Sequence, residues 1–85
     1  MSIILVECPF DPPTTADDLR AARAMVENCL LIREVTIHAV YLADNGRRAI
    51  YVLDGRDADS ARNAFRSAGV AFERAWSATL LPART

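Results

Sequence analysis

The chain has 85 residues, of which 52% are hydrophobic and 25% charged, and its formal net charge at pH 7 is −1. This length suits one domain with a single core, which buries only about 60–65% of the surface of its unfolded chain, so dimerisation would add stability. The charge balance argues against nucleic acid, which favours a basic stripe. No apolar run is long enough to cross a membrane, and the first residues lack the features of a signal peptide. The sequence therefore predicts a cytoplasmic protein with neither nucleic acid nor a membrane as partner.

The first third of the chain predicts a strand followed by a helix. Residues 3–8 are apolar and β-branched at their start, which indicates a buried central strand that ends at the following prolines. Thr15 is placed to cap a helix over residues 16–31, with two aspartates in its first turn. Its apolar residues recur at steps of three and four and form one stripe: Leu19, Ala22, Val26, Cys29 and Leu30.

The middle of the chain predicts a β-hairpin. Two runs rich in β-forming residues, 35–43 and 48–54, flank the segment Asp44-Asn45-Gly46-Arg47. Asn-Gly between two such runs is the strongest short-range hairpin signal, because both residues tolerate positive φ. The two strands are therefore expected to be antiparallel neighbours.

The last third of the chain predicts a second helix and a fourth strand. Asp57 is placed to cap a helix over residues 58–68, and Gly69 is a natural residue to end it. The final strand is predicted over residues 73–81, before Pro82.

Two strand–helix–strand units joined by a hairpin predict an α+β fold, the ferredoxin-like βαββαβ plait. Its four-stranded antiparallel sheet is expected in the order 4-1-3-2, with both helices on one face, and residues 1–85 form this single domain. The other face of the sheet is left open.

Alternation along the strands assigns side chains to the open face or the helix-covered face. A carboxylate is not expected beneath helices, so Ile3, Leu5 and Glu7 are placed on the open face. Tyr41 and Tyr51 are placed toward the helices or the rim. The same alternation predicts these further residues on the open face: Thr36, His38, Val40, Leu42, Ile50, Val52 and Asp54.

His38 and Glu7 are the candidate site residues. His38 is the single histidine, so it is the only imidazole available for a metal and the only side chain with an unperturbed pKa near neutrality. With Glu7 on the same apolar face, it suits metal ligation or acid/base chemistry. The alternatives are a packed or rim histidine, and a Glu7 in a salt bridge with Arg48 or Arg74. One histidine and one glutamate per chain are few ligands, and a dimer would double the set.

Cys8 and Cys29 are too far apart for a CxxC motif. Both are interpreted as buried small hydrophobic residues, with a thiolate ligand role for Cys8 as the alternative. Alternation puts Cys8 and His38 on opposite faces, which argues against a nucleophile–base pair. Trp76 is interpreted as an anchor in the core or in an interface.

Short motifs over nearly the whole chain carry a resemblance to a known family. They are Leu5-Val6-Glu7 before a proline-containing loop, Thr15-Ala16-Asp17-Asp18-Leu19, Ile37-His38-Ala39-Val40-Tyr41, Asp44-Asn45-Gly46-Arg47, and Asp59-Ser60-Ala61-Arg62-Asn63-Ala64 leading to Ala68-Gly69. In this order and spacing, the chain resembles a family of small bacterial domains of unknown function that is often labelled nickel-binding protein. The resemblance implies a ferredoxin-like fold, a homodimer, and binding of nickel or another divalent transition metal.

The resemblance also bears on individual positions. Glu7 matches the acidic residue that ends the family's first strand, and His38 matches the strand histidine. Many members carry a cysteine on the third strand where this chain has Val52. Valine cannot ligate a metal, so the resemblance implies a weakened site that retains His38 and Glu7.

Three functions follow as hypotheses. The first is a homodimeric module, paired through the open sheet face, that binds a metal ion or a small apolar ligand without turnover. The second is a cofactor-free enzyme that resembles the muconolactone isomerases and other dimeric α+β barrels, in which Glu7 or His38 moves a proton. The third is a purely structural or partner-binding plait.

Overall fold

The computed structural model describes residues 2–83, so Met1, Arg84 and Thr85 of the predicted domain lie outside the described residues. The elements are β1 (Ser2–Pro9), α1 (Ala16–Ile32), β2 (Thr36–Leu42), β3 (Arg48–Gly55), α2 (Ala58–Ala68) and β4 (Arg74–Ala78). The four strands form one antiparallel sheet in the order β2-β3-β1-β4, with β1 and β3 in the centre. This confirms the ferredoxin-like plait.

Both helices begin at the predicted caps. The Thr15 hydroxyl accepts a hydrogen bond from the backbone N–H of Asp18 at 3.2 Å. At α2, the Asp57 carboxylate accepts from the Ser60 N–H at 2.8 Å, and this bond holds the pKa of Asp57 below its ordinary value. Gly69 ends α2 in the left-handed conformation, with φ of 72°.

No helix among residues 2–83 is both long and apolar enough to span a membrane.

The core lies between the sheet and the two helices. The Tyr51 and Phe65 rings pack edge to face with their centroids 5.0 Å apart, which links β3 to α2. The largest fully buried side chains are those of Ile4, Val6, Cys8, Val26, Leu30, Val35, Tyr51, Leu53 and Phe65.

The predicted Asn45-Gly46 turn also contacts the loop before α1. The Gly46 carbonyl accepts a hydrogen bond from the Thr14 N–H at 2.8 Å, and the Arg47 carbonyl accepts from the Phe10 N–H at 2.8 Å. Gly46 has φ of 72°, and a Cβ there would collide with the Thr14 backbone. The turn therefore positions the proline-rich loop as well as joining β2 to β3.

The face assignment of the second half of β2 was wrong. The register of β2 against β3 shifts between Ile37 and Ala39, so His38 is the extra residue of a β-bulge. Because one extra residue reverses the alternation, Val40 and Leu42 point toward the helices and Tyr41 points to the open face.

The bulge has a physical reason in the apolar pattern of β2. Val35 is fully buried, and Ile37, Val40 and Leu42 pack against the core. Strict alternation would put the first two on one face and the last two on the other. One inserted residue at His38 lets all four contact the helix side.

Strand β4 is shorter than predicted and ends at Ala78. Ala78 pairs with Ile3, next to Ser2, where its neighbour β1 begins in the described chain. Residues 79–81, which the sequence predicted as part of the strand, lie outside the sheet. Leu80 and Leu81 are 77% and 82% exposed.

Candidate functional site

The open face of the sheet is a grid of three rows across four strands. In the central row all four side chains are apolar, and charged side chains lie in the two rows that flank it. The Glu7 row is Tyr41, Ile50, Glu7 and Arg74; the central row is Ala39, Val52, Leu5 and Trp76; and the Asp54 row is Thr36, Asp54, Ile3 and Ala78.

Two large aromatic side chains of this face contact solvent. Trp76 is 42% exposed and Tyr41 is 66% exposed. Of the two predicted roles for Trp76, this exposure favours an interface anchor, because a tryptophan of the core would be covered. Contiguous exposed apolar surface marks an interaction site in a folded protein.

Glu7 is held by cationic and N–H groups of its neighbours. Its side chain is 17% exposed, and its carboxylate lies 3.3 Å from Nε of Arg74 and 4.0 Å from Nη1 of Arg48. The indole N–H of Trp76 donates to Glu7 Oε2 at 3.2 Å. Arg48 also pairs with Glu73 at 3.3 Å. The predicted salt bridges of Glu7 are both present, so a metal ion at Glu7 would compete with two arginines.

His38 lies at the sheet edge beside a different carboxylate. Its Nε2 is 3.5 Å from Oδ2 of Asp54, with the two side chains 61% and 34% exposed. The pairing follows from the bulge, because the register shift leaves His38 two residues along β2 from Thr36, the cross-strand partner of Asp54. This partner was missed in the sequence, because the register that the Asn45-Gly46 turn sets would place His38 opposite Leu53.

The structure does not bring Glu7 and His38 together within one chain. Glu7 pairs with Ile50, whereas His38 contacts Asp54, four residues further along β3. Four residues of a strand span roughly 13 Å. Val52 lies between these positions on the open face, as expected. Among residues 2–83, no three His, Cys, Asp or Glu side chains form a group that could hold a metal ion.

Cys8 lies on the covered face and is fully buried. Burial raises the pKa of its thiol from 9.0 to about 12. A thiol held neutral in this way behaves as a small hydrophobic residue, since the thiolate is the form that ligates metals or attacks a substrate. The geometry agrees with the interpretation of Cys8 as a core residue.

Comparisons with known proteins support the fold. The structure is similar to the crystal structure of SCO4226 from Streptomyces coelicolor A3(2), with a TM-score of 0.85 and 12% sequence identity. The match covers 95% of this chain and 100% of the Streptomyces chain. No protein-family model and no curated protein matches the sequence. At this identity, the likeness shows a shared fold.

Proposed function

We propose that this protein is a homodimeric binding module in which the open sheet faces of two copies pack together. The His38–Asp54 pair at the edge of that face is a weak site for nickel or another divalent transition metal. The observation that carries the proposal is the uncovered apolar central row with its exposed Trp76.

The distribution of charge on the open face suits a second copy of the same chain. Specific interfaces have a desolvated apolar centre and a polar rim. Here the central row has no charged side chain, and Glu7, Arg74 and Asp54 all lie in the flanking rows. Glu7 and Arg74 neutralise each other, so two copies meet without a large single-sign charge at the centre.

The size of the open face also bears on the dimer. Four strands about 4.8 Å apart and about seven residues long cover roughly 400–450 Å² in projection. A standard interface buries about 800 Å² of accessible surface on each partner. Side chains that protrude from the sheet make its accessible area larger than its projected area. The exposed Leu80 and Leu81 extend the apolar surface beyond β4. The sheet in projection therefore supplies about half of the standard area, and the segment after β4 offers further apolar surface.

The donor set limits how strongly a metal is held. His38 supplies an imidazole nitrogen and Asp54 a carboxylate oxygen, both ligands of first-row divalent metals. Together they fit two coordination positions, and water or groups of the second copy fill the others. Glu7 from the predicted pair is not used within the same chain, because it is paired with Arg48 and Arg74.

The test combines native mass spectrometry with NMR. The purified protein is expected as a dimer, and NiCl₂ or ZnCl₂ is expected to perturb the His38 imidazole resonances saturably. His38→Ala should abolish metal uptake and Asp54→Asn should weaken it. Glu7→Gln serves as the control and should leave the uptake intact.

Each part of the proposal can fail separately. A protein that remains monomeric at about 100 μM overturns the dimer. Unchanged imidazole resonances at millimolar metal overturn the metal site. A dimer that binds no metal but whose His38 titrates far from pH 6.5 would favour the isomerase-like enzyme, and an ordinary titration would favour the structural plait.

A further inference from the structure

A groove lies on the opposite side of the sheet, between α1 and the edge strand β2. Its volume is about 200 Å³. The lining residues come from the first two turns of the helix and from the second half of the strand: Ala16, Leu19, Arg20, Arg23, Val40 and Leu42.

The β-bulge supplies the strand side of this groove. Without the register shift at His38, Val40 and Leu42 would point to the open face. With it, they face α1, where the Leu19 side chain is buried. These three residues give the groove its apolar wall.

Two arginines give the groove its polar side. Arg20 and Arg23 lie three residues apart on α1, so they project from neighbouring positions of the same helix face. Arg20 pairs with Asp17 at 2.7 Å, and both side chains are largely exposed, at 74% and 92%. Arg23 is 3.9 Å from Glu27, with about half of each side chain exposed. A pair this long and this solvated holds Arg23 weakly, so its guanidinium is available to an anion.

Arg23 also acts on a buried polar group next to the groove. The hydroxyl of Tyr51 is fully buried and has no hydrogen-bond partner among residues 2–83. Tyr51 is the cross-strand neighbour of Val40. Burial and the nearby Cys8 thiol raise the pKa of Tyr51 to about 12, and Arg23 acts in the opposite direction. Arg23 itself lines the groove, so its guanidinium can meet a ligand there.

We infer that this groove binds a small amphipathic monoanion, a carboxylate with a short alkyl or aryl body. The carboxylate lies against the Arg23 guanidinium, and the apolar body lies against Leu19, Val40 and Leu42. A cavity of 200 Å³ equals the liquid volume of about seven waters, which suits a ligand of about eight to ten non-hydrogen atoms. The site is on the far side of the sheet from the proposed dimer interface, so it stands without it.

The experiment is an NMR titration of backbone amides with hexanoate, and separately with benzoate, at constant ionic strength. Saturable shifts are expected at Leu19, Arg23, Val40 and Leu42, with a Kd on the order of 1 mM. Hexan-1-ol, which has the same body length without the charge, should bind at least about tenfold more weakly. Arg23→Gln should weaken hexanoate to a similar extent. The matched control is Arg56→Gln, an exposed arginine outside the groove.

Three results would overturn the inference. The first is the absence of saturable shifts with both carboxylates, and the second is equal binding of hexanol and hexanoate. The third is an Arg23→Gln protein that binds hexanoate as well as the Arg56→Gln control does. The dispersion of the amide spectrum of each variant shows that it is folded, so a loss of binding is assigned to the groove.

Discussion

The two faces of the sheet carry similar apolar residues but lie in different environments. On β3, Tyr51 and Leu53 are fully buried under the helices, whereas their neighbours Ile50 and Val52 on the open face are only half-buried. The side chains of each central strand therefore alternate between the helix-covered face and the open face. Apolar composition therefore does not decide burial, because similar residues are fully buried only where the helices cover them.

The chemistry of the two faces differs for the same reason. On the covered face, burial keeps the Cys8 thiol and the Tyr51 phenol neutral, since it disfavours their charged forms. On the open face, Glu7 is ionically paired, and His38 and Asp54 are partly solvated. The core on the covered face stabilises the fold, whereas the side chains of the open face contact solvent.

The largest expected difference between the faces is the reactivity of Cys8. With its pKa raised from 9.0 to about 12, the fraction of thiolate near pH 8 falls about a thousandfold. Iodoacetamide at pH 8 should leave Cys8 unmodified in the folded protein and label it in guanidinium, as followed by peptide mass spectrometry. The half-buried Cys29 is the internal comparison. Equal labelling of folded and unfolded Cys8 would show that the covered face opens.

The same burial predicts a loss of stability at alkaline pH. In the unfolded chain Cys8 and Tyr51 lose protons near pH 9.0 and 10.0, whereas in the folded protein both stay protonated to about pH 12. Their contribution to stability is complete below pH 9 and is lost as the pH rises from about 9 to 12. Urea unfolding at pH 8 and 10.5 should show this fall, and Cys8→Ala should reduce it. A urea midpoint that is the same at pH 8 and 10.5 would contradict the raised pKa values of Cys8 and Tyr51 in the folded protein.

Two leucines provide a matched test of burial. Leu53→Ala on the covered face should cost about 2–5 kcal/mol of unfolding free energy, because it leaves a cavity in the core. Leu5→Ala on the half-buried open face should cost under about 1 kcal/mol in the monomer. Urea unfolding at a concentration that favours the monomer measures both. Equal losses would mean that the open face is packed as tightly as the core.

Trp76 tests whether the open face is an interface. Trp76→Ala should weaken the proposed dimer at least tenfold, as buried aromatic anchors do in interfaces. Sedimentation equilibrium measures the dissociation constant. Ile32→Ala, which changes an exposed residue of α1, is the control and should leave it unchanged. The proposed interface is wrong if the two variants dimerise equally well.

The ion pairs of the Glu7 row should contribute least to stability. Arg74→Gln removes a contact whose cation is 64% exposed, and Arg48 remains beside Glu7. Such pairs contribute under about 1 kcal/mol, and less at high salt. Thermal unfolding of both proteins in 0.05 and 0.5 M NaCl measures the stability lost in Arg74→Gln at each salt concentration. A loss above about 2 kcal/mol would show that Glu7 is more dependent on Arg74 than its solvation indicates.

The elements and their order follow from local signals. Thr15 and Asp57 cap the helices as predicted, Gly69 ends the second one, and the Asn45-Gly46 turn joins the hairpin. Each signal acts within a few residues of the chain, so it is visible before any tertiary contact is known. Strand β1 also has the predicted faces, with Glu7 on the open one.

The candidate site was predicted only in part. Glu7 and His38 were named, and the arginine partners of Glu7 were correctly anticipated. The contact of His38 with Asp54 and the arginine groove were not. They depend on the bulge. Its signal in the sequence is that the apolar residues of β2 change from odd-numbered positions, such as Ile37, to even-numbered positions, such as Val40.

The plait can be predicted from the sequence, because periodicity, caps and turns are local signals and agree with one another. Which residues share a surface depends instead on contacts between elements. A single inserted residue at His38 reverses the faces of the rest of β2, and its place is set by packing against α1 and β3. The open face and the groove are therefore products of contacts between segments far apart in the chain.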